Sequence, residues 1–399
     1  MQQTRYRGYR SYEYLREDID LRAFRLAAEV DRVPAYTQPL TEDDRARADR
    51  LLEECVVVSL HDHPVVFPED MEETIEYNRG ARQRTGFLGL SRSRMTAVFD
   101  NLMDGTSCVT SAFGWNWDDI VLDIGHRLCD IAHQDFVVHA RSVRDILDCK
   151  SSGRLALVVG LEAATPIENE VDRIDVLYGL GVRQMGIAYS EANALGSGLR
   201  ERRDGGLTQF GRRCVERMNR LGMAIDVSHS GDITSMDVVE ASEKPVLITH
   251  AGSRTVWNSP RMKTDEVITA CAQRGGVIGI EAAPHTTISR THPRHSLDSV
   301  MDHVLHCIDL VGVDHVAFGP DTLFGDHVGL HDLFARQLSI HELRGGEGYE
   351  RVDYVDGLEN PGECFVNIVS WLVHHGFGDE DIRKLVGENA LRVLGEIWI

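Results

Sequence analysis

Histidines and acids close several apolar runs in this chain. His61 and His63 follow VVVSL, Glu162 follows LALVVGL, His229 follows AIDVS and His250 follows VLIT, while Asp321 comes after VAFGP. An apolar run ended by one polar residue is the pattern of a buried strand delivering a side chain at its carboxyl end. Imidazole and carboxylate are the ligands that zinc and similar divalent ions take. Singly, each residue has a plainer reading. A strand-end histidine is more often a hydrogen-bonded structural residue than a ligand, and H-x-H arises by chance because residues two apart share a strand face. Glu162 alone reads as a solvated loop acid, and Asp226, in the same run as His229, as a satisfied core acid. Four histidines and a glutamate at four strand ends together point to metal binding. Five ligands exceed the three that a catalytic zinc takes from protein, so two ions are expected, with the Glu162 carboxylate bridging them. A hydroxide shared by two ions is acidified and attacks a polarised carbonyl. Asp321, with no metal assigned to it, then takes the proton and passes it to a leaving amine. The chemistry implied is hydrolysis of an amide-like bond.

Such residues need a scaffold that gathers strand ends. Short runs rich in β-branched residues recur at 55–60, 107–113, 155–161, 183–188, 223–227, 246–249, 277–280 and 315–318. They lack polar alternation, as strands covered on both faces do. Amphipathic stretches separate them. Thr41-Glu-Asp-Asp44 resembles a capping box, 208–221 stops at Gly222, and 265–274 stops at Gly275 and Gly276. The alternation predicts a (β/α)8 TIM-type barrel, whose strands open onto one mouth at their carboxyl ends. The rival, an open doubly wound sheet, calls for a glycine-rich phosphate turn after the first strand, where His61-Asp-His-Pro stands instead. Residues 41–399 are read as the metal-dependent hydrolase barrel and 1–40 as an N-terminal arm carrying Tyr6, Tyr9, Tyr12 and Tyr14. That arm is either a flexible tail or a subunit-packing segment. Residues 64–105 read as a long loop and candidate lid after the first strand, and 323–357, holding Gly345-Gly-Glu-Gly348, as a loop-rich insertion after the eighth. His126, His133, His303, His306, His374 and His375 fall on helical or loop patterns and are expected at the surface.

Composition narrows the partners. The chain has 399 residues, 42% hydrophobic and 26% charged, and a net charge of −21. These proportions suit a large core, and the negative field repels nucleic acid and anionic membrane. The amino terminus lacks a secretory apolar segment, and no run approaches the length of a membrane helix. Eight cysteines without a C-x-x-C pair read as reduced thiols, so the cytoplasm is the expected compartment.

Longer motifs carry a resemblance. GLTQFGRRCVERMNRLGMAIDVSH at 206–229, Val158-Val-Gly-Leu-Glu162, Ile248-Thr-His250 and GENALRVL from Gly387 to Leu394 are similar to the renal (membrane) dipeptidase family, peptidase family M19 of the amidohydrolase superfamily. The similarity is colinear over residues 55–395. It implies two zinc ions per chain, with another divalent metal as the alternative. His61 and His63 would hold one, His229 and His250 the other, and Glu162 would bridge. Asp321 resembles the family's proton-handling acid, which also meets the substrate's free amine. Arg261, in SPRM, resembles the arginine that binds the substrate carboxylate, a task suited to a bidentate guanidinium. Tyr189, in IAYS, stands where relatives carry a histidine that polarises the scissile carbonyl; its hydroxyl is able to donate the same hydrogen bond, and packing is the alternative account of it. The family reads H-x-D where this chain has His61-Asp62-His63. Its G-x-D-F-D-G is here Gly319-Pro-Asp-Thr-Leu-Phe-Gly325, and Met262 replaces an asparagine. The expected activity is zinc-dependent hydrolysis of a dipeptide or dipeptide-like amide by a metal-bridging hydroxide. The alternatives are an amidohydrolase acting on another small amide, ester or N-acyl compound, and a catalytically silent metal-binding barrel. The expected partner is a small substrate, with neither nucleic acid nor membrane, and pairing into a homo-oligomer is an open expectation.

Overall fold

The computed structural model describes residues 4–80, 82–102, 116–338 and 349–399. Among the described residues eleven strands form one sheet: β1 Val58–Val66, β2 Arg84–Thr85, β3 Ala97–Leu102, β4 Val137–His139, β5 Leu155–Leu161, β6 Val182–Gly186, β7 Ala224–Asp226, β8 Leu247–Ala251, β9 Val277–Ile280, β10 Val316–Phe318 and β11 Leu323–Phe324. Their order is β10-β9-β8-β7-β6-β5-β3-β1-β11, with β2 beside β1 and β4 beside β5. Every pairing along that path is parallel. β10 and β11 are two stretches of one segment, which pairs with β9 through its first part and with β1 through its second. Between them the Asp321 amide donates to the His61 carbonyl at 2.9 Å, and the His63 amide to the Thr322 carbonyl at 2.8 Å. The sheet therefore curls back on its first strand, giving the eight-position α/β barrel that the alternation predicts.

Side-chain parity makes the barrel's core. Val58, Leu60, Ala97, Phe99, Ala156, Val158, Ala224, Leu247, Val277 and Ala317 form one buried cluster with the carboxyl-terminal Val393, Leu394, Ile397 and Trp398. The alternate residues Leu155, Leu157, Val159 and Leu161 pack outward with the helices. Small alanines from several strands leave room for Phe99, which lies 6.1 Å from the Trp398 ring. The helices start and stop as their end residues require. The Thr41 hydroxyl accepts from the Asp44 amide ahead of helix Glu42–Glu54, a cap that stabilises by about 1 kcal/mol. Helix Gln209–Leu221 ends in left-handed Gly222 at φ 74°.

The structure departs from the sequence reading in several places. The second barrel strand is Ala97–Leu102, inside the stretch read as a lid, and the run at 107–113 lies outside the described residues. Asp100 and Asn101 hid this strand. Both are buried, and Asp100 is paired with the buried Arg127 at 2.9 Å. β1 continues six residues past Leu60, because His61-Asp-His-Pro takes part in the pairing with β3 and β11. The arm packs on its own barrel. Tyr9 and Ser11 donate their hydroxyls, and Tyr12 its amide, to the buried Asp130 carboxylate, and Arg32 pairs with Glu359. His303, expected at the surface, is fully buried; its Nδ1 accepts from the Ser253 amide and its Nε2 bonds the Ile288 carbonyl. The insertion after β10 contains β11 and helix His327–Leu338, and Gly345–Gly348 lie outside the described residues. No described helix is long and apolar enough to cross a membrane.

Candidate metal centre

Two bulges aim the first histidines. In β1, Ser59 faces Val98 and Asp62 faces Asp100, so three steps on one strand meet two on the other. The extra residue reverses parity, and His61 and His63 turn towards the mouth although Val58 and Leu60 point into the barrel. β8 repeats the device between Ile248 and Ala251, which aims His250. Glu162 follows β5 and His229 follows β7. Asp321 sits between β10 and β11 at φ 58°, a conformation that strains a non-glycine residue and is held by its amide bond to His61.

These six side chains meet. Three overlapping groups, His61–His63–Glu162, His61–His250–Asp321 and Glu162–His229–His250, each keep their ligand atoms within 4.8 Å of one another. Glu162 Oε1 lies 3.4 Å from His61 Nε2 and 3.5 Å from the Nε2 atoms of His229 and His250. Asp321 Oδ1 is 3.4 Å from His61 Nε2 and 3.1 Å from His63 Nε2. His229 and His250 bring their Nε2 atoms to 2.9 Å, and the His61 and His250 rings stack at 3.4 Å.

Supporting hydrogen bonds decide which ring nitrogens carry lone pairs. His63 Nδ1 lies 3.1 Å from the Asn101 carbonyl, which only accepts, so Nδ1 holds the proton and Nε2 faces the cluster bare. Asp226 receives the Thr249 hydroxyl at 2.9 Å, and that same oxygen is 2.9 Å from His250 Nδ1, which therefore donates to it. Asp226 also takes the Ser228 and Thr249 amides and the Ser228 hydroxyl, which makes it the satisfied core acid its sequence position suggests. Among the described residues, Glu162 Oε2 is buried with no hydrogen-bond partner. Bare imidazole nitrogens and a partnerless buried carboxylate oxygen, all aimed at one point, are the groups a divalent cation satisfies. The donor set fits a metal.

The electrostatics agree. Burial raises the Glu162 carboxyl, but hydrogen bonds from His229, His250 and His61 outweigh it and hold the group well below its ordinary value. Asp321 is held down in the same way, burial being overcome by His61 and His63. Burial and the nearby Arg261 charge push His229 down to about 4. Burial, His61 and Arg261 push His250 well below the usual imidazole range. His61 is the exception: burial depresses it, yet Asp321 and Glu162 lift it to about 9. One proton on His61 thus offsets only part of the charge of the two carboxylates, and net negative charge is left where cations fit.

The other residues named from the sequence lie alongside. Tyr189 is half-buried with its ring stacked on His229 at 4.1 Å. Arg261 is buried, donates from Nη2 to the His250 carbonyl at 3.0 Å and keeps Nη1 without a partner. Asp62 points away from the cluster and accepts the Thr322 amide and hydroxyl. Two residues escaped the sequence reading. Asn101 was lost with its strand. Glu281, fully buried and ion-paired with Arg261, closes the run VIGI as Glu162 closes VVGL, so the same strand-end rule points to it.

Comparison with known proteins places this geometry. Residues 45–352 match the membrane dipeptidase family, peptidase family M19. The dipeptidase verJ of Clonostachys rogersoniana is 28% identical over 278 residues, which are 69% of this chain and 64% of that protein. The dipeptidase tcpJ of Claviceps purpurea is 26% identical, over 69% of this chain and 59% of that protein. The chain thus spans about three fifths of the length of these curated relatives. Among solved structures, an amidohydrolase from Pseudomonas aeruginosa superposes with a TM-score of 0.72 at 26% identity, covering 88% of this chain and 99% of that one. A metallopeptidase from Rhodobacter sphaeroides, bound to a phosphinate mimic of the dipeptide L-Ala-D-Ala, shares the fold with a TM-score of 0.66 at 19% identity, over 86% of this chain and 99% of its own. With the family match extending across most of the sequence and the histidine–carboxylate cluster at the barrel mouth, the chain belongs to the membrane dipeptidase family, peptidase family M19.

Proposed function

We propose that the protein is a zinc-dependent hydrolase of a dipeptide or dipeptide-like amide. In this reading two ions are held, one by His61 and His63, the other by His229 and His250, with Glu162 common to both. The observation that carries it is the convergence of these residues with Asp321 in three overlapping groups of ligand atoms. Divalent ions held by these residues would supply water activation near neutral pH and polarisation of a carbonyl. The protein's own groups supply the rest. Asp321 is ionised at neutral pH, so its carboxylate is able to accept the proton of the attacking water and return it to the leaving amine nitrogen. The Tyr189 hydroxyl, beside His229, is the donor for the carbonyl oxygen as charge builds on it. Arg261 offers its partnerless Nη1 to the substrate's carboxylate.

The test is metal analysis together with a dipeptide panel that includes D-configured carboxyl-terminal residues. About two equivalents of zinc per chain and turnover of at least one dipeptide are expected. Full metal loading without hydrolysis of any dipeptide would overturn the substrate assignment. One observation favours a second reading, an amidohydrolase of another small amide, ester or N-acyl compound. Glu281 already gives Arg261 a buried carboxyl partner, so a substrate carboxylate would have to share this guanidinium with it.

A further inference from the structure

A cavity lies at the opposite end of the barrel from the metal centre. It encloses about 620 Å³ and is lined by Arg92, Arg94, Lys150 and Arg154, with Glu53 as the only acid among its lining residues. Thr96 on its wall precedes β3, whose Asn101 holds His63, and Arg154 precedes β5, after which comes Glu162. At 3.3 Å per residue these strands separate the two sites by about 20 Å.

Four cations gathered in a chain of net charge −21 call for an account. Among the described residues none of the four has a side-chain ion pair or hydrogen bond, and Arg154 Nε is buried without any partner. Clustered cations repel one another, and the half-buried Arg94, Lys150 and Arg154 also lose hydration. Lys150 shows the cost: burial first, and then the Arg94 charge, push its ammonium below the ordinary lysine value. Arg94 itself is held at φ 61°, a conformation that costs energy in a non-glycine residue and concentrates at ligand-binding positions. Beside these cations the wall carries an apolar patch of Leu52, Leu90, Met95 and Phe136, together with the hydroxyl-bearing Thr4, Ser91 and Thr96. Its volume falls within the range of small-molecule pockets.

From this juxtaposition of cations unpaired among the described residues with an apolar and aromatic patch, we propose that the cavity binds a small organic anion carrying two negative charges and an apolar body, such as an aryl or alkyl phosphate. Guanidinium groups suit phosphate oxygens, and the wall takes the hydrocarbon. The site is separate from the hydrolytic centre and does not depend on the reaction assigned there.

Calorimetric titration with three probes tests it: 1-naphthyl phosphate, inorganic phosphate and 1-naphthol. The zinc-loaded protein is expected to bind 1-naphthyl phosphate at least about tenfold more tightly than either fragment. The double substitution Arg94→Ser and Lys150→Ser should weaken that binding by about tenfold or more. Dipeptide hydrolysis without added ligand should stay within about twofold of the parent. Equal affinity of parent and double variant, or inorganic phosphate binding as tightly as 1-naphthyl phosphate, overturns the proposal. If the double variant unfolds, Arg92→Ser, at an exposed position, replaces it. Unchanged affinity in that variant, together with competition by a dipeptide product, assigns the phosphate to the metal centre and overturns the proposal equally.

Discussion

Under the proposed reaction, Asp321 and Thr249 would serve the same metal centre in different ways. Asp321→Asn keeps size and hydrogen bonding but removes the carboxylate that the proposed reaction uses as proton acceptor. Bound zinc should stay near the parent's content while kcat falls by about 10²–10⁴-fold, and unchanged kcat would remove Asp321 from proton transfer. Thr249→Val leaves every ligand in place but removes the acceptor that holds the His250 Nδ1 proton. Loss of such a support weakens metal binding by about 10–100-fold, so chelator competition should separate this variant from the parent before activity does. Lys263 gives a residue-scale prediction for pH. It is buried against Ser235 at 3.2 Å, and burial, the largest effect, pushes its ammonium down to about 7 from 10.5. Between these values the unfolded chain binds a proton that the native state refuses. Unfolding free energy should therefore rise with pH across that window and lose this contribution as pH falls to about 7. Denaturant titrations at several pH values should show a shallower slope for Lys263→Met; identical slopes would contradict the assignment.

At the scale of elements, the centre depends on how closely neighbouring strands approach. A Cβ at Gly186 in β6 would meet the Glu162 carbonyl oxygen at 1.8 Å. Backbone cannot yield as a flexible side chain does, so Gly186→Ala must displace Glu162 from the four imidazoles. We expect this variant to bind substantially less metal than the parent, measured by elemental analysis after gel filtration, whereas full occupancy would show that β5 and β6 separate freely. The bulges in β1 and β8 explain a limit of sequence reading. Period-two logic puts His61 and His63 on one face, as observed, but that face belongs to the barrel mouth only because an extra residue reverses the parity set by Val58 and Leu60. Nothing in VVVSLHDH distinguishes a bulged strand from a straight one, since a bulge is decided by the partner strand's register. β3 was missed for a related reason. AVFDNL carries an acid in its centre, and the acid is acceptable there only because Arg127, from a separate helix, neutralises it.

For the whole molecule, the amino-terminal arm is part of the folded unit. Asp130 is buried, and three of its hydrogen bonds come from Tyr9, Ser11 and Tyr12. Removing residues 1–15 leaves a buried carboxylate short of donors. The melting temperature should drop by about 2–4 °C for each kcal/mol lost, and an unchanged value would make the arm a passive cover. What the sequence determined by itself was the set of chemical groups and their common destination. Polar residues ending apolar runs must leave the core at one end of a parallel barrel, so His61, His63, Glu162, His229, His250 and Asp321 were readable before any coordinates. What only the tertiary structure decided was how each is held. The Asn101 carbonyl behind His63, the Asp226–Thr249 support behind His250, the Glu281 carboxylate on Arg261 and the arm clasped to Asp130 all join residues far apart in the chain. Such contacts depend on distances set when strands close and bulge, and local pattern carries no record of those distances.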